Sequence, residues 1–126
     1  MRKRILAVDD DLGPRESFRM MFKPMYDVST AEDGSEALQK ILEAAEPFDM
    51  ILTGIFMPGM NGDKMVSIIR QEGMDIPIIV ISGGGYERGC QLVKEGLVSA
   101  CFAKPYNLDE VKTMVELLLT DHLGTC

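Results

Sequence analysis

The sequence predicts a three-layer α/β/α domain built on a doubly wound, five-stranded parallel sheet. Three observations lead there: short, almost unbroken apolar runs alternate with longer amphipathic stretches, the alternation repeats five times, and turn-forming residues mark each junction. Strands covered on both faces lose the polar-apolar alternation of a half-exposed sheet, and right-handed crossovers between parallel neighbours place helices on both sides. At 126 residues there is room for one core, so residues 1–126 read as a single domain.

Lys3 to Val8 is the first strand, closed by Asp9-Asp10-Asp11. Pro14 to Phe22 reads as a helix ending near Pro24, and Tyr26 to Ser29 as a short strand. Ser35 to Ala45 follows as a helix with Ala37, Leu38, Ile41 and Leu42 on one face. Phe48 to Thr53 and Ile76 to Ser82 are the third and fourth strands. The helix between them, Asp63 to Gln71, turns Met65, Ile68 and Ile69 inward. From Gly83 to Gly96 the pattern is poorer: the run Gly83-Gly84-Gly85 and Gly89 predict a weak, mobile helix, since an interior glycine disfavours helix by ~1 kcal/mol relative to alanine. Val98 to Phe102 is the fifth strand. A last helix runs from Leu108 to about Asp121, with Leu108, Val111, Val115 and Leu118 on one stripe.

Thirteen basic against twenty acidic side chains leave a net charge of −7, which repels phosphate backbones and argues against direct nucleic-acid binding. The apolar run after Met1-Arg2-Lys3-Arg4 stops within four residues, too short for a signal peptide or a membrane span, so a cytoplasmic location is expected. Cys90, Cys101 and Cys126 are odd in number and lack metal-ligand spacing. They read as reduced thiols acting as small buried hydrophobes. Met20, Met21, Met25, Met65 and Met114 fall where helices need apolar gap-fillers, and His122 reads as a solvated imidazole near a helix end.

In parallel sheets of this kind ligands bind beyond the carboxyl ends of the strands. Those ends carry Asp9-Asp10-Asp11, Thr53-Gly54, Ser82-Gly83 and Ala103-Lys104-Pro105. Carboxylates, a hydroxyl and an ammonium around one crevice are what magnesium-dependent phosphoryl transfer requires: carboxylates hold the hard cation, while the hydroxyl and ammonium meet phosphoryl oxygens. Taken singly, each group has a plainer explanation. The triplet could cap a helix, Ser82 a strand end, Lys104 could be a surface charge and Phe102 core. The glycines after Ser82 lack the lysine and Ser/Thr of a phosphate-binding loop and read as a hinge.

Ile5-Leu6-Ala7-Val8-Asp9-Asp10-Asp11, Met57-Pro58-Gly59-Met60-Asn61-Gly62, Ile79-Val80-Ile81-Ser82-Gly83 and Lys104-Pro105, in this order, resemble the receiver domain of bacterial response regulators. The resemblance covers essentially the whole chain and implies the flavodoxin-like (βα)5 fold. It further implies that Asp9 and Asp10 hold Mg2+, that Ser82 is the switch hydroxyl, that Lys104 pairs with the phosphoryl group, that Phe102 is the aromatic whose rotamer follows, and that Pro105 follows a cis peptide bond. The implied partners are a histidine kinase or an output protein, met through the face of the fourth helix, fifth strand and fifth helix; two copies would pair weakly through the same face.

The chain departs from that pattern at one decisive place. The phosphate-accepting aspartate lies three residues before the Met-Pro pair, and here that position is Gly54. Glycine can neither attack a phosphodonor nor supply a third metal oxygen, so no acyl phosphate forms there and Mg2+ binding is expected to be weak or absent. Thr53 should point to the opposite face of the sheet, and Asp49 lies too far back to substitute. Lys104, deprived of that carboxylate, should lean toward Asp9. The expected function is therefore non-enzymatic signalling by protein contact. An ordinary phospho-receiver silenced by one Asp-to-Gly change fits equally. A phosphatase of the haloacid dehalogenase type, with Asp9 as nucleophile and Asp11 as acid, matches less well, because only one helix follows Lys104 and no strand bears a second acidic pair. A flavin-binding module of similar topology is a further, weaker alternative.

Overall fold

A computed structural model describes residues 2–120. Ten elements alternate: β1 (Arg4–Val8), α1 (Leu12–Phe22), β2 (Asp27–Ala31), α2 (Gly34–Glu43), β3 (Met50–Thr53), α3 (Gly62–Gln71), β4 (Ile78–Ser82), α4 (Tyr86–Lys94), β5 (Ala100–Ala103) and α5 (Leu108–Leu119). All strand pairs are parallel and the sheet order is β2-β1-β3-β4-β5, which is the flavodoxin-like doubly wound fold expected. The chain passes from β1 outward to β2, then crosses back past β1 to β3, so the direction of winding reverses at β1. A crevice opens at that reversal, on the carboxyl side of the sheet.

Each strand feeds two cores. Leu6, Val8, Ile51, Ile78 and Val80 pack beneath α2, α3 and α4 with Ala37, Met65, Ile69 and Leu92. Their chain neighbours Ile5, Ala7, Leu52, Ile79 and Ile81 pack beneath α1 and α5 with Phe18, Phe22, Val111 and Val115. Alternation along buried strands thus appears as two apolar layers, which explains the continuous apolar runs.

Several expectations are corrected. α1 begins at Leu12 rather than Pro14. Pro14 sits within the first turn, where its missing N–H has no intrahelical partner to lose. Four strands begin later than expected: β2 at Asp27, β3 at Met50, β4 at Ile78 and β5 at Ala100, because apolar residues of the preceding loops, such as Phe48 and Val98, are buried without being paired in the sheet. Leu42 and Leu108 are exposed rather than inward, as are Met20 and Met25; Met65 is buried, and Met21 and Met114 pack against the α1/α5 core. Cys90 and Cys101 are half-buried rather than buried. His122, Cys126 and the expected helix end at Asp121 lie outside the described residues.

α4 is a nine-residue helix, Tyr86–Lys94, within the stretch from Gly83 to Gly96 where a weak helix was expected. Gly89 is a packing requirement there, since a Cβ would overlap Cys101 Sγ on β5. Gly62 meets a similar constraint at the start of α3, where a Cβ would overlap the carbonyl oxygen of Gly54. Gly62→Ala should lower stability by about 1–3 kcal/mol through that overlap. Gly13→Ala, with nothing within 4 Å of the added methyl and a helical backbone, should raise it by ~0.4–1 kcal/mol. Urea titration of both variants checks the pair; the opposite order of stabilities would contradict the packing described.

Candidate functional site

The carboxyl ends of β1, β3, β4 and β5 converge on a crevice of about 260 Å³ lined by Asp9, Asp10, Asp11, Gly54, Ser82 and Lys104, with Phe56 at its rim. Asp9 is the deepest of these groups, 3% exposed. A carboxylate taken that far from water needs compensation, and Asp9 has two donors. Lys104 Nζ lies 2.8 Å from Oδ2 and the Asp11 amide donates to Oδ1 at 3.0 Å. Lys104 therefore pairs with Asp9 as anticipated. Its backbone is held to the sheet by its amide, which donates to the Ser82 carbonyl at 3.1 Å, and the Lys104-Pro105 peptide is cis.

Asp10 and Asp11 are exposed, and oxygens of Asp9, Asp10 and Asp11 lie within 4.8 Å of one another. Clustered carboxylate oxygens suit a hard divalent cation, so this donor set fits Mg2+. Asp11 occupies the N-cap position of α1 yet makes no side-chain capping hydrogen bond, which leaves its carboxylate available. Sequence reasoning assigned Mg2+ to Asp9 and Asp10 and gave Asp11, the third member of this cluster, no metal role. It also passed over Arg15, whose Nη1 donates to the Asp9 carbonyl at 2.8 Å. Arg15 stands one turn after Asp11, and helix side chains lean toward the amino end, so that spacing was the available signal.

Ser82 is 4% exposed and its Oγ accepts the Gly85 amide at 2.9 Å, so the hydroxyl that faces the crevice also secures the entry to α4. Gly54 is anchored by its amide to the Val8 carbonyl at 3.2 Å. Thr53 is buried and spends its hydroxyl on the Gly54 carbonyl at 2.9 Å, outside the crevice. Asp49 accepts the Arg4 amide at 2.8 Å at the other end of the sheet. Neither supplies an acceptor here.

Phe102 is not brought to the crevice. In register it pairs with Ile81 and packs in the α1/α5 layer, whereas Val80 pairs with Cys101 on the α4 side, the side of Ser82. Because successive strand residues face opposite ways, the residues of β5 that share Ser82's face are its register partner Ala103 and, two residues before it, Cys101. The Cys101 thiol, ordinarily near 9.0, is pushed up to about 11 by burial first and then by Cys90 beside it. Tyr106, stacked on Phe18 at 6.0 Å, is also pushed upward, chiefly by burial.

The profile of the family described as "Response regulator receiver domain" matches residues 5–116. The chain belongs to that family. Among curated proteins it is similar to the two-component response regulator ORR24 of Oryza sativa subsp. indica, 31% identical over 115 residues that make up 88% of this chain and 18% of the rice protein. It is also similar to the sensor histidine kinase RcsC of Escherichia coli K12, 30% identical over 114 residues, 90% of this chain and 12% of that protein. The chain thus spans less than a fifth of the length of the first of these relatives. Among solved structures, the Thermotoga maritima response regulator TrrA in complex with Mg(2+)-BeF superposes with a TM-score of 0.79 at 32% identity, covering 93% of this chain and 99% of that one. The chemotaxis response regulator CheY4 of Vibrio cholerae gives 0.82 at 28% identity, covering 94% and 100%. Receiver domains are generally non-catalytic signalling domains that bind Mg2+ in an acidic pocket and meet histidine kinases and output domains. For the dehalogenase-type alternative, no strand follows β5 among the described residues to carry a second acidic pair. No helix among them is long and apolar enough to cross a membrane.

The Cys101 thiol gives a pH dependence whose direction follows from its proton. The folded chain keeps that proton to a higher pH than the unfolded chain does, so the stability it confers is complete below about pH 9 and is lost as pH rises toward 11. Tyr26, Tyr86 and Tyr106, also pushed upward, act in the same direction. Thermal melts across this window should show a falling midpoint with a shallower slope in Cys101→Ala; an unchanged slope would separate Cys101 from the effect.

Proposed function

We propose that this chain is a receiver-type signalling module that is not phosphorylated at residue 54, holds Mg2+ weakly, and acts by protein contact. The observation that carries this reading is the character of Gly54. Its backbone does not occupy the positive-φ region reserved for glycine, and a Cβ there would meet only the Ile81 carbonyl oxygen, at an ordinary 3.7 Å. Neither strain nor crowding requires glycine at this point, so what is missing is the carboxylate itself. Without it the crevice has cation ligands, a hydroxyl and an ammonium but no acceptor carboxylate at residue 54, and the metal loses a charged oxygen.

In ordinary receivers Asp9, Asp10, Ser82 and Lys104 correspond to the metal pair, the switch hydroxyl and the phosphate-pairing lysine, and we assign them those positions. A histidine kinase or an output domain would meet the face of α4, β5 and α5, where a shallow groove of about 380 Å³ is lined by Phe102, Asp109, Glu110, Thr113, Met114 and Leu117. The mixture of apolar floor and acidic rim suits a partner with apolar and basic side chains. The same face would serve a weak homodimer, and the setting would be cytoplasmic.

The intact neighbourhood of Gly54 also favours a second reading: an ordinary Mg-dependent phospho-receiver silenced by a single Asp-to-Gly change. Incubation with acetyl phosphate and magnesium, followed by intact-mass measurement, tests both. This chain should gain no phosphoryl group; recovery of an aspartyl phosphate from it would refute the proposal. Gly54→Asp should gain one if the chain is a silenced receiver, and should remain unmodified if the rest of the crevice has diverged as well. Calorimetric titration should show Mg2+ affinity rising on the order of tenfold in Gly54→Asp, the effect of one added charged ligand. An equal affinity in the two chains would show that residue 54 does not limit the metal site.

A further inference from the structure

Cys90 and Cys101 form a thiol pair for which the phosphate site has no use. β5 turns Cys101 toward α4, and Gly89, the residue before Cys90, lets the helix backbone come against it, since any Cβ at 89 would overlap Cys101 Sγ. Both thiols are free and half-buried. The Cys101 thiol donates to the Tyr86 carbonyl in the first turn of α4 at 3.7 Å, and the Cys90 side chain is near enough to help push the Cys101 thiol upward. Tyr86 stands one turn before Cys90 on the same helical face, and its phenol is pushed upward chiefly by the Cys90 side chain. The two thiols therefore flank the seam where the backbone of α4 at Gly89 lies against Cys101 of the edge strand.

We propose that Cys90 and Cys101 are an oxidisable pair, which a small-molecule disulfide such as glutathione disulfide converts to an intramolecular disulfide tying α4 to β5. Cys90 reacts first, because burial holds the Cys101 thiol protonated. The Cys90 thiol loses its proton to solvent and its sulfur attacks one sulfur of glutathione disulfide. The S–S bond of the reagent breaks, one glutathione leaves as thiolate, and a mixed disulfide remains on Cys90. Cys101 then loses its proton and attacks Cys90 Sγ, expelling the second glutathione. Two protein thiols are oxidised and one glutathione disulfide is reduced to two glutathiones. Capping Cys90 removes the thiol that adds to the upward shift of Cys101, which favours the second step. The bond forms whether or not residue 54 accepts phosphate.

The test uses the full chain carrying Cys126→Ser, treated with glutathione disulfide under native conditions. Cleavage after Arg88 and Lys94 puts Cys90 and Cys101 on separate tryptic peptides. The expected product has lost the mass of two hydrogens, yields those two peptides cross-linked, and exchanges the amide hydrogens of Tyr86–Lys94 on the order of tenfold more slowly. Adding Cys101→Ser should stop the reaction at one glutathione on Cys90, and adding Cys90→Ser should leave Cys101 unmodified. A stable glutathione adduct while Cys101 is present, a cross-link found only between chains, or no reaction at either thiol would overturn the proposal. Direct mapping of the peptides keeps the result interpretable even for a variant of altered stability.

Discussion

The crevice depends on one constraint, the compensation of a carboxylate that the sheet has carried out of water. Asp9 closes a central strand and is almost fully covered. An uncompensated charge at that depth would be strongly destabilising. Its main partner, Lys104, comes from the loop after the edge strand β5, 95 residues further along the chain. Burying Asp9 therefore demands that the loops after the first and last strands meet, and a five-stranded parallel sheet with β1 near its middle is an architecture in which they can. The Asp11 amide and the cation of Arg15, which holds the Asp9 carbonyl, complete the arrangement from the start of α1.

The same pair sets the electrostatics of the crevice. With no carboxylate at residue 54, Lys104 pairs with Asp9 at 2.8 Å, while Asp10 and Asp11 stay in solvent where their mutual repulsion is screened. Ser82 links this charged corner to α4 through the Gly85 amide, so the crevice and the helix next to Cys101 belong to one connected stretch of structure. The chain that joins the two is the backbone at Gly83-Gly84-Gly85, whereas Phe102 of β5 faces the other layer.

Much of the fold was legible because fully covered strands leave a plain trace. Runs such as Ile78-Ile79-Val80-Ile81 have little alternative use in a chain this short, and five of them separated by amphipathic stretches admit few topologies. The strand starts were misjudged where buried loop residues extend an apolar run: β2, β3, β4 and β5 begin later than their apolar residues suggest, and Leu42 and Leu108 continue an apolar stripe into solvent. Gly89 was read as a weakness of α4 when it is the contact that lets the helix lie on β5, a fact visible only once Cys101 is placed opposite. Asp9, Gly54, Ser82 and Lys104 were located by their position at strand ends. The face on which Phe102 lies was not legible, because one residue along a strand exchanges the two faces of the sheet, and nothing in the local sequence distinguishes Cys101 from Phe102 in that respect.

The contact between Gly62 and the Gly54 carbonyl also governs what position 54 tolerates. The peptide at 54 is pinned from behind by a helix that admits no side chain at its first residue, and from the side by the hydrogen bond to Val8. Its main chain is therefore fixed independently of the side chain it carries, and a carboxylate added there would change the chemistry of the crevice on an unaltered scaffold.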